Sequence, residues 1–210
     1  MYLSFKYKTG GFTLIELMVS IAIMAVILTV IMLNQKSYTE VAILVNTADE
    51  LGLSISEAQA YGVAVKERVT GSTDFTSGYG ISLALFEQEA NVGYIFFSDR
   101  NGSLYYDGNW ACSTGEASEC LKKAVFSGGN EIYELCRVRD NPNNPYQCNI
   151  GRIDITFSRP STEARIKSFN QQGNLMDDDP DFIGARIGIR SPGGMVKSII
   201  VYYTGQISIQ

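Results

Sequence analysis

A lone carboxylate stands inside a long apolar run near the start of this sequence. Residues 12–33 read FTLIELMVSIAIMAVILTVIML, in which Glu16 is the only charged residue. A carboxylate within a membrane helix costs up to roughly 2.5–3.5 kcal/mol, so Glu16 needs a partner. The run has no cationic side chain that could be this partner. We therefore expect the partner of Glu16 to come from outside the run.

Two glycines precede the apolar run and mark a candidate cleavage site. Gly10 and Gly11 follow a short segment that contains Lys6 and Lys8, and residues 1–11 include no acid. A glycine lets the backbone extend into a protease cleft with no Cβ in the way. Positive residues that flank a membrane helix stay in the cytoplasm, so we expect the N-terminus inside and the long C-terminal part exported.

The apolar run is long enough to cross a membrane. As an α-helix, residues 12–33 span about 33 Å, against about 30 Å for the hydrocarbon core of a bilayer. A secretory signal peptide has a shorter apolar region of about 7–15 residues, followed by a cleavage site with small residues. The sequence 30–34 (VIMLN) has no such site. We interpret residues 12–33 as an uncleaved membrane helix.

This junction resembles the processing site of type IV prepilins and pseudopilins. The resemblance rests on a basic leader that ends in Gly11, on Phe12, on Glu16 in the fifth position after the glycine, and on the apolar run. It implies that a prepilin peptidase cuts between Gly11 and Phe12 and that Phe12 becomes N-methylated. It also implies that Glu16 pairs with the N-terminal amine of a neighbouring subunit as a filament grows. A Glu16 that snorkels near the helix end, or is protonated, is the alternative.

The composition narrows the classes of function. The chain has 210 residues, no histidine and a net charge of −5. Without histidine it has no Ser-His-Asp triad, no Cys-His pair and no HExxH zinc site. The net charge disfavours binding to nucleic acid or anionic lipid through charge alone. The mean hydropathy of +0.01 averages the apolar run with a hydrophilic remainder. We predict that the protein is not an enzyme.

A second helical pattern follows the apolar run. Apolar residues recur at a spacing of three or four, at Val41, Leu44, Ala48, Leu51, Ile55, Ala58 and Val65. The opposite face carries Thr39, Asn46, Glu50, Glu57 and Lys66. We predict one helix from about Phe12 to about Val65, weakened at Gly52 and Gly62 by about 1 kcal/mol each relative to alanine.

The remainder of the chain reads as a β-rich head after a linker at residues 70–74. Short β-branched or alternating runs separated by turn residues predict strands at Tyr79–Leu85, Gly93–Ser98, Ser103–Tyr106, Glu131–Arg137, Arg152–Phe157, Ala164–Phe169, Ala185–Arg190, Lys197–Thr204 and Ile207–Ile209. Asn101-Gly102 predicts a hairpin turn, and Gly205-Gln206 a second one. In Arg152–Phe157 the apolar residues alternate with Asp154 and Thr156, which predicts one buried face. The fold class is α+β: a long N-terminal helix packed against a mostly antiparallel head.

The last third of the head resembles minor pilins and pseudopilins of the GspH/FimT type. The resemblance rests on residues 155–157 (ITF), on residues 199–201 (IIV), and on the closing turn at Gly205-Gln206. It implies a β-rich head placed toward the tip of a pilus or of a type II secretion pseudopilus.

Four cysteines lie in the part of the chain expected to be exported. An even number of cysteines in an oxidising compartment indicates two disulfides. We favour Cys112–Cys120 and Cys136–Cys148, because each pair closes a short loop. Three pairings are open from sequence, and a site with four thiolates around zinc is disfavoured because the usual CxxC-like spacing is missing.

We predict no cofactor. The residues that could still bind a metal ion are four aspartates in an acidic run. Asp177, Asp178, Asp179 and Asp181 could supply oxygen ligands to calcium. The favoured interpretation is a solvated acidic loop.

Basic residues are scattered through the head and interleaved with acids, so no linear nucleic-acid-binding block is present. A strand that carries both Arg186 and Arg190 on one face would still gather a basic patch. The alternative function is therefore a pilus-tip subunit that binds DNA or a surface ligand. A second alternative is a membrane-tethered exported enzyme.

We predict a structural subunit, major or minor, of a type IV pilus or a type II secretion-like pseudopilus. Its regions are a cleaved leader at 1–11, a transmembrane and polymerisation segment at 12–33, an amphipathic helix at 34–69 and an exported head at 70–210. The resemblance implies as partners other pilin or pseudopilin subunits, the prepilin peptidase and methylase, and an inner-membrane assembly platform. The expected location is the cytoplasmic (inner) membrane, crossed once, and then an extracellular or periplasmic filament.

Overall fold

A computed structural model describes residues 10–64, 77–86, 90–113, 118–177 and 180–210. The chain divides into two compact units, residues 1–39 and residues 40–210. The leader residues 1–9 and the linker at 70–74 lie outside the described residues, as do Val65 and Lys66.

Helix α1 runs from Leu14 to Val63 and belongs to both units. It begins at Leu14 rather than Phe12, because the side chain of Thr13 accepts a hydrogen bond from the backbone N–H of Glu16 and thereby caps the helix. The helix continues through Gly52 and Gly62. At Gly62 a side chain would collide with the backbone carbonyl of Phe157, so a glycine permits close packing there.

The head contains strands that mostly match the predicted ones. In chain order they are β1 (Gly78–Ala84), β2 (Gly93–Asp99), β3 (Cys120–Val125), β4 (Glu131–Arg139), β5 (Tyr146–Gln147), β6 (Arg152–Phe157), β7 (Ala164–Phe169), β8 (Phe182–Arg190), β9 (Val196–Tyr202) and β10 (Ile207–Ile209). Short 3₁₀-helices lie at Ala90–Val92 and Ser127–Gly129. The α+β class is confirmed.

The strands form two antiparallel sheets of five strands each. Sheet 1 has the order β3-β2-β1-β6-β7, and sheet 2 has the order β10-β9-β8-β4-β5. In sheet 1, Ile81 of β1 lies opposite Ile155 of β6. In sheet 2, Leu135 of β4 lies opposite Ile187 of β8. The β9–β10 hairpin turns at Gly205, whose φ of +85° suits glycine, as the sequence predicts.

The core of the head consists of the second half of α1 and the inner faces of both sheets. The predicted apolar face of the helix is buried at Leu44, Ala48, Leu51, Ile55 and Ala58. The prediction is wrong for Val41, which is 41% exposed at the start of this unit. Polar contacts fix the position of the helix: Asn130 donates to the Thr47 hydroxyl at 2.8 Å.

Sheet 1 differs from the prediction because its central strands, β1, β2 and β6, are buried on both faces. Asp154 and Thr156 are fully buried, although they alternate with apolar residues. The chain between β2 and β3 covers them: the backbone N–H of Tyr106 donates to Asp154 Oδ2 at 3.0 Å, and Thr156 Oγ1 donates to the Leu104 carbonyl at 3.0 Å. A second apolar cluster lies on the same outer face, formed by Ala84, Ala90, Ile95, Phe97, Tyr106, Trp110 and Cys120.

The predicted strand Ser103–Tyr106 and its hairpin are wrong. The carboxylate of Asp99 accepts hydrogen bonds from the backbone N–H groups of Gly102, Ser103 and Leu104, at 2.9 to 3.2 Å. These bonds draw the chain into a turn instead of returning it along β2. The strand that pairs with β2 at this edge is β3, which was not predicted from the sequence.

Candidate functional site

The candidate processing segment is exposed in the structure. Gly10 and Gly11 are exposed, and a Cβ built on either one meets no atom within 4 Å. Phe12 follows them with 84% of its surface exposed. The Gly11–Phe12 peptide bond therefore lies in an exposed, uncrowded stretch immediately before α1, where a protease could reach it.

Glu16 has a local partner at the start of the helix. Its carboxylate oxygen Oε2 accepts from the backbone N–H and from the hydroxyl of Thr13, both at 3.3 Å. In return the N–H of Glu16 donates to Thr13 Oγ1 at 3.3 Å. This reciprocal pair is a capping box, and the negative charge in the first turn also interacts favourably with the helix dipole.

Sequence reasoning identified Glu16 but missed Thr13. The detectable signal was the pattern Thr-x-x-Glu directly before an apolar run. The capping box gives the Glu16 carboxylate neutral hydrogen-bond donors within its own chain. The carboxylate therefore has hydrogen-bond partners even without the ion pair predicted from sequence. The ion pair with a new N-terminus remains a prediction.

The apolar surface that follows Glu16 is unburied by the rest of the described chain. The segment Leu14–Met32 is long and apolar enough to cross a membrane, and none of it is buried. Its hydroxyl groups are satisfied internally, since Ser20 donates to the carbonyl of Glu16 at 2.7 Å and Thr29 to that of Ala25 at 2.8 Å. Such bonds allow hydroxyls to enter an apolar phase.

Comparison with known protein families gives a match to the N-terminal segment. An exposed apolar helix of membrane-spanning length in front of a β-rich head fits a membrane-anchored subunit. Residues 6–32 match the family described as the prokaryotic N-terminal methylation motif. This match supports the type IV prepilin and pseudopilin family, and it indicates a pilin-like structural subunit rather than an enzyme. No curated protein and no solved structure matches the chain. The GspH/FimT resemblance of the head stays a prediction.

The head contains two disulfides, Cys112–Cys120 and Cys136–Cys148. These are the two pairs that the sequence analysis favours. The first joins the covering chain of sheet 1 to the start of β3, and the second joins β4 to the residue just after β5. The first therefore attaches Cys112 to the edge strand β3, and the second attaches Cys148 to β4, next to the edge strand β5.

Arg186 and Arg190 lie on one face of β8, as the nucleic-acid alternative requires. Each is nevertheless ion-paired across to β4, Arg186 with Glu134 and Arg190 with Glu131. The guanidinium groups also lie over tyrosine rings, at 5.1 Å from Tyr146 for Arg186. A face whose arginines are matched by carboxylates offers little net charge to a phosphate backbone.

The candidate calcium ligands are only partly described. Asp177 and Asp181 are exposed, and Asp178 and Asp179 lie outside the described residues. The interpretation of this run as a solvated acidic loop stays a prediction, with calcium binding as its alternative. Among the described residues, Glu134, Cys136 and Cys148 bring ligand atoms together, but both sulfur atoms are in a disulfide.

A cavity of about 640 Å³ opens beside β7. Its described lining is mainly apolar and includes Leu104, Phe182 and Tyr203, together with Arg165 and Lys167. The enzyme alternative needs converging carboxylates or a Ser/Lys pair. Glu163 is the single carboxylate of that described lining, and no serine is among it.

Carboxylates organise the chain that covers sheet 1. Glu119 accepts from the N–H groups of Arg100 at 3.1 Å and Asp107 at 2.9 Å. Burial raises the pKa of Glu119 above its ordinary value, in spite of these bonds. Burial likewise raises the pKa of Asp154, against the opposing charge of Arg152, with which it forms an ion pair.

Proposed function

We propose that this chain is a subunit of a type IV pilus or a type II secretion-like pseudopilus. It is processed between Gly11 and Phe12, methylated on the new N-terminal Phe12, and assembled through residues 12–33. The observation that carries the proposal is the apolar segment Leu14–Met32, which lies within the matched methylation motif at residues 6–32 and has no part buried. An apolar surface of this size needs lipid or other apolar helices to cover it.

The remaining regions take the roles predicted from sequence. Residues 34–69 carry the head on the amphipathic half of the helix, and residues 70–210 form the exported head. The lysines of the leader keep the N-terminus in the cytoplasm, so the chain crosses the inner membrane once with the head outside. The proposed partners are a prepilin peptidase and methylase, an inner-membrane assembly platform and other pilin subunits.

Processing is tested by co-expression of the full chain with a prepilin peptidase. We expect intact-mass and N-terminal analysis to show a chain that begins at Phe12 and carries one methyl group. Gly11→Val should abolish cleavage, because its branched side chain obstructs the cleft. Gly10→Val is the matched control and should be cleaved, because residue 10 does not border the cleaved bond. A Cβ meets no atom within 4 Å at either position, so neither variant should disturb the folded chain. Cleavage of Gly11→Val at the same bond would contradict the proposal.

A further inference from the structure

The two disulfides have different surroundings. Cys148 is exposed to solvent, whereas its partner Cys136 is fully buried. In the other pair, Cys112 is half-buried and Cys120 is 3% exposed, and both pack in the apolar cluster that contains Phe97 and Trp110. Apolar surroundings disfavour a thiolate. The Cys112–Cys120 disulfide is therefore shielded from attack and has poor leaving groups.

A fixed positive charge lies beside the buried sulfur of the second pair. Nη1 of Arg186 is 3.9 Å from Cys136 Sγ. The same guanidinium is ion-paired with Glu134 and is covered by the ring of Tyr146. A guanidinium offers five N–H donors, so it can hold Glu134 and still donate to a thiolate. Positive charge next to a cysteine stabilises its thiolate form.

We propose that Cys136–Cys148 is the exchangeable disulfide of this protein, at which an external thiol is joined to Cys148 while Cys136 leaves as a thiolate held by Arg186. The external thiolate attacks Cys148 Sγ, the S–S bond breaks, and its electron pair stays on Cys136. A second thiol then displaces Cys148 from the mixed disulfide. The protein pair gains two electrons, and the external thiol pair is oxidised to a disulfide.

The choice of the attacked sulfur follows from access. Thiol–disulfide exchange requires an approach to the sulfur that becomes bonded to the incoming group. Cys148 Sγ belongs to an exposed residue, and Cys136 is closed off in sheet 2. The incoming thiol is therefore joined to Cys148, and Cys136 is released as the free thiolate.

Exchange at this pair has a structural consequence at the edge of sheet 2. Strand β5 pairs with β4 through Arg137–Gln147 and Val138–Tyr146, and just before β5 the Pro145 carbonyl accepts from the N–H of Arg139 at 2.8 Å. Cys148 directly follows β5 and is attached to β4 by the disulfide. Two residue pairs hold a strand weakly without that bond. Reduction frees this segment and uncovers the edge of β4, which can then pair with another strand.

The test uses the full-length protein in detergent micelles, with glutathione as the probe thiol. The protein is equilibrated in buffers with a graded ratio of reduced to oxidised glutathione, quenched with acid, alkylated and mapped by mass spectrometry. We expect Cys136–Cys148 to open at a less reducing ratio than Cys112–Cys120, and we expect the glutathione adduct on Cys148. Earlier opening of Cys112–Cys120, or an adduct mainly on Cys136, overturns the proposal.

Two substitutions with opposite signs isolate the electrostatic part. Arg186→Gln removes the charge that stabilises the leaving thiolate, so opening should require a ratio that is several-fold more reducing. Glu134→Gln removes a negative charge whose oxygen lies within 4.8 Å of both sulfurs, so opening should need a less reducing ratio.

Arg190→Gln is the matched control for these variants. Arg190 lies on the same face of β8 and is paired with Glu131 instead. It should leave the ratio for opening unchanged. Equal effects of Arg186→Gln and Arg190→Gln would overturn the role of Arg186. If Arg186→Gln does not fold, Arg186→Lys retains the charge and should open close to the wild-type ratio, and the order of opening in the wild type still decides the proposal.

Discussion

At the scale of single residues, Thr13 and Glu16 carry the most information about this protein. Before processing, the Glu16 carboxylate is satisfied by the backbone N–H and hydroxyl of Thr13. Cleavage between Gly11 and Phe12 would leave Thr13 in place and add a charged amine one residue before it. An oxygen held by two neutral donors at 3.3 Å exchanges them for an ammonium group at little cost, because bonds to charged donors are stronger. The capping box would thus keep the Glu16 carboxylate oriented until assembly.

Replacement of Glu16 by alanine separates processing from assembly. We expect Glu16→Ala to be cleaved and methylated at the wild-type level, because the cleaved bond is outside the helix. Incorporation into filaments should fall by about tenfold or more, since each 1.4 kcal/mol lost changes an equilibrium tenfold. The measurement is the ratio of sheared filament to membrane-bound subunit. Thr13→Ala, which breaks the cap but keeps the carboxylate, is the control and should assemble better than Glu16→Ala. Wild-type incorporation of Glu16→Ala would refute the role of the carboxylate.

Glu119 gives the head a stability that depends on pH. Because burial raises its pKa in the folded state, protonated Glu119 is favoured by folding. Its contribution is therefore fully present below the pKa of the unfolded chain and is lost as the pH rises through the folded pKa. Asp154, whose pKa is also raised, acts in the same direction.

Glu119→Gln should make the pH dependence of the free energy of unfolding shallower in the mildly acidic range. Urea unfolding at a series of pH values, followed by near-ultraviolet circular dichroism, measures this slope. The variant should also be less stable at every pH, because an amide cannot accept from both Arg100 and Asp107 with both of its ends. Glu163→Gln, at an exposed position, is the control. An unchanged slope for Glu119→Gln would contradict this account.

At the scale of elements, periodicity in the sequence predicted those segments that bury one face. Helix α1 and β6 are examples, because Leu51, Ile55, Ile153 and Ile155 follow the periods of a helix and a strand. Strand β3 escaped prediction because Lys122 and Lys123 interrupt its apolar pattern at a sheet edge. The burial of Asp154 could not be predicted either, since its cover is an irregular chain held by backbone bonds to carboxylates. The periodicity of a strand cannot show that an irregular segment from elsewhere in the chain covers its polar face.

The buried face of α1 can be tested with two identical substitutions on one helix. Leu51 is fully buried, whereas Leu53 is 70% exposed. Leu51→Ala should lower the free energy of unfolding of the head by about 2–5 kcal/mol. Leu53→Ala should change it by less than about 0.5 kcal/mol. Urea unfolding measures both, and similar losses for the two variants would mean that the helix does not pack as described.

At the scale of the whole molecule, the chain combines two units that differ in how much apolar surface they expose. Among the described residues, the buried apolar side chains range from Leu44 to Val201, all within residues 40–210. Within residues 1–39, the segment Leu14–Met32 is apolar and unburied. The head thus has a core of its own, whereas the apolar surface of Leu14–Met32 is not covered by any described residue.

A fragment of residues 40–210 should therefore be stable in water. We expect it to remain soluble without detergent, to retain both disulfides and to sediment as a monomer, whereas the full chain should partition into membranes. Analytical ultracentrifugation and non-reducing mass mapping are the measurements. Aggregation of the fragment in the presence of intact disulfides would show that the head depends on the N-terminal unit.

Contacts between α1 and residues late in the sequence determine when the helix can be covered during synthesis. The Gln59 amide donates to the carbonyls of Thr162 and Gly205, the latter 146 positions away in sequence, and Ile209 packs at Gly52. Contacts of such long range slow folding. A chain that is synthesised from its N-terminus therefore exposes the apolar face of α1 until β10 has been made. Until then, that exposed apolar surface is open to association with other chains.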